Sequence, residues 1–215
     1  FFVRKSFSNY EFCDENYNNK NNTHYQKIYF KLMKKLNFDV TSKKNLFYLD
    51  NDCQKIFNEK FKNFPDKFYL IHVDEKANRL NSKQKENLTN FILNVSQNHN
   101  IIISYGIGEI NIKKVLEEQV KNVDYNKIID VFFFPKNSKI ISISNLPLNL
   151  LAIFIGKAIS NISMHSGSIV HISAALNRPI IDILENEKNN EIDRWIPEIS
   201  EYTRVNFDEL NEFKI

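Results

Sequence analysis

The chain reads as short apolar runs separated by amphipathic stretches. Phe68–Val73 (FYLIHV), Ile101–Ser104 (IIIS), Val131–Phe134 (VFFF), Ile140–Ile143 and Ile162–Met164 are runs without alternation, and Pro179–Leu184 opens another. Between them the period lengthens. Leu88, Phe91, Ile92 and Val95 recur at helical spacing over Lys83–Gln97, with Ser82 as the expected N-cap. Further helices are expected over Ile112–Val120, from Pro147 to about Ala158, and over Ser168–Leu176; a proline suits the first turn of the second. Strand and helix thus alternate from residue 68 to 184. Strands that are apolar throughout are covered on both faces, as in a parallel sheet flanked by helices.

The first part of the chain is less regular. Asn16–Asn22 (NYNNKNN) is polar and without a period. His24–Leu36 has helical spacing, Leu46–Leu49 is a short strand candidate, and Gln54–Phe64 is a helix stopped by Pro65. The expected organisation is an interdomain and helical segment at residues 1–65 and one α/β domain at 66–215. Asp193–Pro197 (DRWIP) and Thr203–Val205 are expected to complete that domain.

Composition narrows the class. At 42% hydrophobic and 26% charged, the 215 residues are those of a globular protein. No apolar run reaches the roughly 18 residues of a membrane-spanning helix. The two cysteines, Cys13 and Cys53, are read as reduced thiols, and no signal peptide is visible, so a cytoplasmic location is expected. The net charge of +3 is too small to argue for nucleic acid. Its distribution is uneven: the middle of the chain is basic and the stretch from Asp182 onward acidic, which suits an anionic ligand or an anionic membrane surface.

In an open parallel sheet, ligands sit beyond the carboxyl ends of the strands. Three of the four glycines, Gly106, Gly108 and Gly167, follow expected strands. The richest segment is His165-Ser166-Gly167-Ser168, a small polar turn opening a helix, where backbone N–H groups and the helix dipole favour a phosphate. His171, one turn further on, either faces the same anion or packs on the helix. A metal reading of His165 and His171 is weaker, since six positions do not place two ligands on one helical face. Lys76 and Arg79 would either neutralise a diphosphate or belong to a solvated loop. Glu109 either accepts from a ribose or favours a helix N-terminus, and Asp74 with Glu109 is a candidate carboxylate pair.

These residues resemble a known family. Ser144–Ile183, with Trp195 and Pro197, resembles the C-terminal domain of ADP-heptose:lipopolysaccharide heptosyltransferases, glycosyltransferase family 9. The resemblance rests on Asn145-Leu146, Ser166-Gly167, His171, Ala174-Ala175-Leu176-Asn177-Arg178-Pro179 and Trp195-Ile196-Pro197, with weaker echoes in His72–Arg79 and Tyr105–Glu109. The family carries an acidic residue before its Ser/Thr-Gly pair, where His165 stands here, and the spacing to His171 is one residue longer than the family's.

The resemblance implies a Rossmann-like parallel sheet flanked by helices, like the C-terminal half of a GT-B glycosyltransferase. It implies that the chain binds a nucleotide-diphosphate sugar and serves transfer of the sugar to a lipopolysaccharide, capsule or other glycan or lipid-linked acceptor, with peripheral contact at the inner membrane. The nucleotide and phosphate would be held by Ser166, Gly167, Ser168, His171 and His165, with Lys76, Arg79, Gly106 and Glu109 contributing. No metal or other cofactor is expected, and the acceptor-activating base is expected outside this chain. A sugar-nucleotide epimerase or hydrolase, and a non-catalytic domain of the same fold used for glycan binding or assembly, are the alternatives.

Overall fold

The computed structural model describes residues 51–106, 122–126, 129–133, 139–144, 146–185, 196–197 and 201–215, together with 33, 34, 47 and 49. Its contacts divide the chain into two compact units, Phe1–Lys43 with Glu187–Ile196, and Lys44–Asn186 with Pro197–Ile215. Every element below belongs to the second unit.

The elements are α1 (Asn51–Lys60), β1 (Tyr69–Val73), a 3-10 segment (Glu75–Arg79), α2 (Ser82–Ser96), β2 (Ile101–Tyr105), β3 (Asn122–Asn126), β4 (Ile129–Phe133), β5 (Lys139–Ile143), α3 (Leu148–Lys157), β6 (Asn161–Ser163), α4 (Gly167–Ala175), β7 (Ile180–Leu184), β8 (Tyr202–Asn206) and a short 3-10 turn (Phe207–Glu209). The eight strands form one sheet in the order β3-β4-β5-β2-β1-β6-β7-β8. The six from β5 to β8 are mutually parallel. At the other edge β3 and β4 run antiparallel, a feature the apolar pattern does not predict. Only residues 134–138 separate β4 from β5, far fewer than the dozen or more that a parallel crossover needs.

Register explains why the strands read as unbroken apolar runs. Ile71 lies beside Ile103 and Ile162, facing a cluster with Leu88, Phe91 and Ile92 of α2. Leu70 lies beside Ile102, on the opposite face, in a cluster with α1, α3 and Ile169 and Ile172 of α4. Alternate residues are therefore buried on both sides, each large side chain contributing about 1.5–3 kcal/mol. On the α1–α3 side, Phe154 sits at the centre of an aromatic group, 4.8 Å from Phe57 and 5.0 Å from Phe61 between ring centroids. That packing joins residues 51–64 to the sheet unit, which by its contacts begins at Lys44.

The helix ends follow their sequences, with one shift. Asn81, not Ser82, caps α2: its side chain accepts from the Gln84 amide at 2.9 Å, and Gln84 returns a bond to the Asn81 amide. Pro147 is the N-cap of α3. The residues after α4 turn at Asn177, whose φ of 54° is the left-handed conformation Asn tolerates at a helix end. The expected helix over Ile112–Val120, the site candidates Gly108 and Glu109, and Asn145 and Trp195 of the resemblance lie outside the described residues, as does most of the expected helix at 24–36.

Candidate functional site

The sheet order places the site. From β1 the chain builds outward through β2 and β5, then returns to the other side of β1 with β6, β7 and β8. The order therefore reverses between β1 and β6, and the crevice beyond their carboxyl ends is where such sheets bind ligands. The loops that emerge there are Asp74–Arg79 and Met164–Ser168.

The first loop is shaped by Asp74, the N-cap of the 3-10 segment, whose Oδ1 accepts from the Lys76 amide at 3.0 Å. Asp74 is buried, and burial pushes its carboxyl above the usual range against the pull of Lys76. Gly106, at the end of β2, packs against it: a Cβ there would stand 3.2 Å from the Asp74 Cα. Its lack of a side chain is thus explained by loop packing at the rim of the crevice.

Lys76, whose side chain is partly exposed, reaches across to the second loop. Its Nζ donates to the His165 carbonyl at 2.6 Å and lies 3.7 Å from Asp74 Oδ2, joining the two loops. Arg79 is exposed at the far end of the 3-10 segment. Of the two cations singled out in the sequence, the structure brings Lys76 to the turn.

The second loop is fixed by His165, which has a left-handed backbone with φ of 53°. In a non-glycine residue this conformation costs roughly 1–2 kcal/mol. Buried Asp182 of β7 compensates: its Oδ1 accepts from the His165 amide and its Oδ2 faces His165 Nδ1, both at 2.7 Å. Tyr202 of β8 also donates its hydroxyl to Oδ2, at 2.6 Å. Burial, then the charge of Asp182, holds the Tyr202 phenol far above its usual titration range, so it stays a donor. Sequence reasoning missed Asp182 and Tyr202. The signal was present in β7, where a lone aspartate interrupts a strand of isoleucines (IIDIL).

After His165 comes the anion-type turn. Ser166 is the N-cap of α4; its amide donates to Ser163 Oγ at 2.8 Å and its own side chain makes no capping bond. Gly167 and Ser168 are exposed in the first turn, and a Cβ on Gly167 would meet nothing within 4 Å. His171 is exposed four residues after Gly167, on the same helical side. Beneath the turn, His72 is buried with Nδ1 2.9 Å from Ser104 Oγ; burial, which outweighs the pull of Glu75, lowers it to about 4 and keeps it neutral.

The structure thus gathers Lys76, His165, Ser166, Gly167 and Ser168 at the reversal of the sheet, with His171 one turn along α4 and Gly106 beneath the first loop. Chemically, the arrangement offers helix-terminal amides, hydroxyls and a cation to an anion, and an imidazole beside them. Among the described residues, no group of three or more His, Cys, Asp or Glu is placed to hold a metal ion. No helix among them is long and apolar enough to cross a membrane.

No protein-family model and no curated protein sequence matches the chain. Solved structures do. A glycosyl transferase of family 9 from Veillonella parvula is similar with a TM-score of 0.62 at 11% identity, over 87% of this chain and 50% of that one. UDP-GlcNAc 2-epimerase from Methanocaldococcus jannaschii gives 0.52 at 17% identity, over 76% and 41%. Escherichia coli heptosyltransferase WaaC with ADP gives 0.51 at 14% identity, over 88% and 52%. The chain spans about half the length of these structures or less. At such identities the likeness is one of fold: a Rossmann-like α/β domain similar to those of glycosyltransferases and of a sugar-nucleotide epimerase.

Proposed function

We propose that the chain binds a nucleotide-diphosphate sugar at the head of α4 and acts as the donor-binding part of a glycosyltransferase. The observation that carries this reading is the bond from Lys76 Nζ to the His165 carbonyl. It unites the loops after β1 and β6 at the reversal of the sheet, where open α/β sheets take nucleotides.

In this reading the α4 amides and the hydroxyls of Ser166 and Ser168 hold the diphosphate. His171 approaches from the next turn, and Lys76 supplies positive charge where negative charge grows as the glycosidic bond breaks. Arg79, exposed further along the loop, and Glu109 are assigned lesser contacts with the nucleotide. No metal ion is invoked, because amides, dipole and cation meet the charge. The acceptor would be a lipopolysaccharide, capsule or other surface glycan, reached at the inner face of the cytoplasmic membrane, and its activating base would lie outside this chain.

Two supports come from the neighbours: the heptosyltransferase was solved with ADP and the 2-epimerase in complex with UDP-GlcNAc and UDP. The second also supports an alternative, a sugar-nucleotide epimerase, which the imidazole beside the turn would suit as an acid or base. Incubation with UDP-GlcNAc, followed by chromatography of the sugar nucleotide, separates the two: conversion to an epimer without an acceptor favours the alternative. A calorimetric titration with ADP, UDP, GDP and CMP tests what both share. Binding of one of them, weakened by His171→Ala, is expected; no binding to the folded chain would overturn both.

A further inference from the structure

The amino ends of β1 and β6 carry a surface that the crevice does not use. The segment leading from α1 into β1 reads Phe61-Lys62-Asn63-Phe64-Pro65-Asp66-Lys67-Phe68, with aromatic and basic residues interleaved. Phe61 and Phe68 are buried, whereas Phe64 and Pro65 are half-buried and Lys62 and Lys67 are exposed. The Phe64 ring lies 5.0 Å from Phe61 and 5.8 Å from Phe154 between centroids, which seats the loop on α3. Ile159, just past α3, donates its amide to the Phe68 carbonyl at 2.9 Å, yet the residue is 41% exposed. Lys157 places its Nζ 5.2 Å from the centre of the Phe57 ring.

Apolar and basic side chains thus share one end of the domain. Phe64, Pro65 and Ile159 present partly exposed apolar surface, and Lys60, Lys62, Lys67 and Lys157 belong to the same loop and helix ends, against Glu59 and Asp66. Among the described residues, none of the four lysines forms an ion pair. Lys60 and Lys157 stand in the last turns of α1 and α3, where the helix dipole favours a cation. Lys62 and Lys67 lie beyond the helices, so the dipole does not account for them.

We propose that this end of the domain docks on an anionic lipid surface. Ile159 and the Phe64–Pro65 bend enter the headgroup layer, and the lysines lay their stems along it with their ammonium groups toward the lipid phosphates. The phosphates of a nucleic acid would also attract the lysines, but they would leave the isoleucine in water. The crevice lies at the other end of the strands, so lipid and nucleotide would be bound at opposite ends, and either can fail without the other.

The test is sedimentation of the full chain with vesicles of phosphatidylcholine alone and of phosphatidylcholine with one-third phosphatidylglycerol. Binding to the anionic vesicles that fades with added salt is expected, with little on phosphatidylcholine alone. Lys62→Gln/Lys67→Gln should weaken it about 25-fold. Ile159→Ser should weaken it about threefold. These three positions are exposed, so the melting temperature should hold in each variant. Lys83→Gln/Lys214→Gln removes the same charge at exposed positions of α2 and the C-terminal segment, and should change binding by about twofold or less.

No preference for the anionic vesicles overturns the proposal, and so does an equal loss in the two double variants. Indifference to Ile159→Ser overturns it as well. A single-stranded oligonucleotide that then binds as tightly, and loses as much in Lys62→Gln/Lys67→Gln, would mark the surface as one for nucleic acid.

Discussion

Lys76 Nζ donates to the carbonyl oxygen of His165 at 2.6 Å, across 89 positions of sequence. The two residues lie in loops that follow β1 and β6, adjacent parallel strands between which the order of the sheet reverses. One cation thus bridges the two walls of the crevice. Replacing it with methionine keeps much of its length and removes the bond and the charge. Because the Lys76 side chain is partly exposed, Lys76→Met is expected to cost only about 1 kcal/mol in urea denaturation. Its effect on nucleoside diphosphate affinity should be larger, about tenfold by calorimetry.

Asp182 is expected to be the most stability-critical polar residue of the site. Asp182→Ala would leave the His165 amide, its Nδ1 and the Tyr202 hydroxyl without their acceptor, and would leave the strained backbone held only by Lys76 at its carbonyl. A loss of about 3 kcal/mol or more is expected by chemical denaturation, whereas Tyr202→Phe, which removes a single donor, should cost about 1 kcal/mol.

The glycines separate packing from binding. Gly106→Ala would place a methyl 3.2 Å from the Asp74 Cα, so about 1–3 kcal/mol of stability should be lost. Gly167→Ala meets open space at the first position of α4, and alanine favours helix by up to about 1 kcal/mol. The melting temperature should hold or rise, while a ligand approaching the turn amides should bind more weakly.

His72 predicts a pH dependence. Burial lowers its folded pKa to about 4, below the unfolded value of 6.5. Above pH 6.5 both states are neutral at this residue. As pH falls from 6.5 toward 4, the unfolded state takes up a proton that the folded state refuses, so stability is lost across that window. The shift corresponds to roughly 3 kcal/mol. Asp74, raised in the fold, acts in the opposite sense: its cost appears as pH rises above the usual carboxylate range. The contribution of His72 is isolated by comparing the stability of the unsubstituted chain and His72→Asn from pH 7 to 4; the difference between them should shrink as pH falls.

The parallel sheet was legible because its strands bury both faces: Leu70 and Ile71 pack against different helices, and no polar alternation interrupts them. The hairpin at the edge was less so. VFFF reads equally well as either kind of strand, and the informative quantity was the short gap to Lys139, not the composition. The turn His165–Ser168 was visible as small polar residues between a strand and a helix. The partners that hold it were not. Asp182 and Tyr202 are brought to His165 by the pairing of β6, β7 and β8, and that pairing is a property of register which no local pattern encodes.

The anion site at α4 is tested most directly by calorimetry. The chain and its Gly167→Ala form would be titrated with ADP, UDP, GDP and CMP, with folding checked by circular dichroism. One nucleotide is expected to bind the unsubstituted chain and to bind Gly167→Ala at least tenfold more weakly, at unchanged or higher melting temperature. Binding that is indifferent to Gly167→Ala, or no binding to the folded chain, would contradict it.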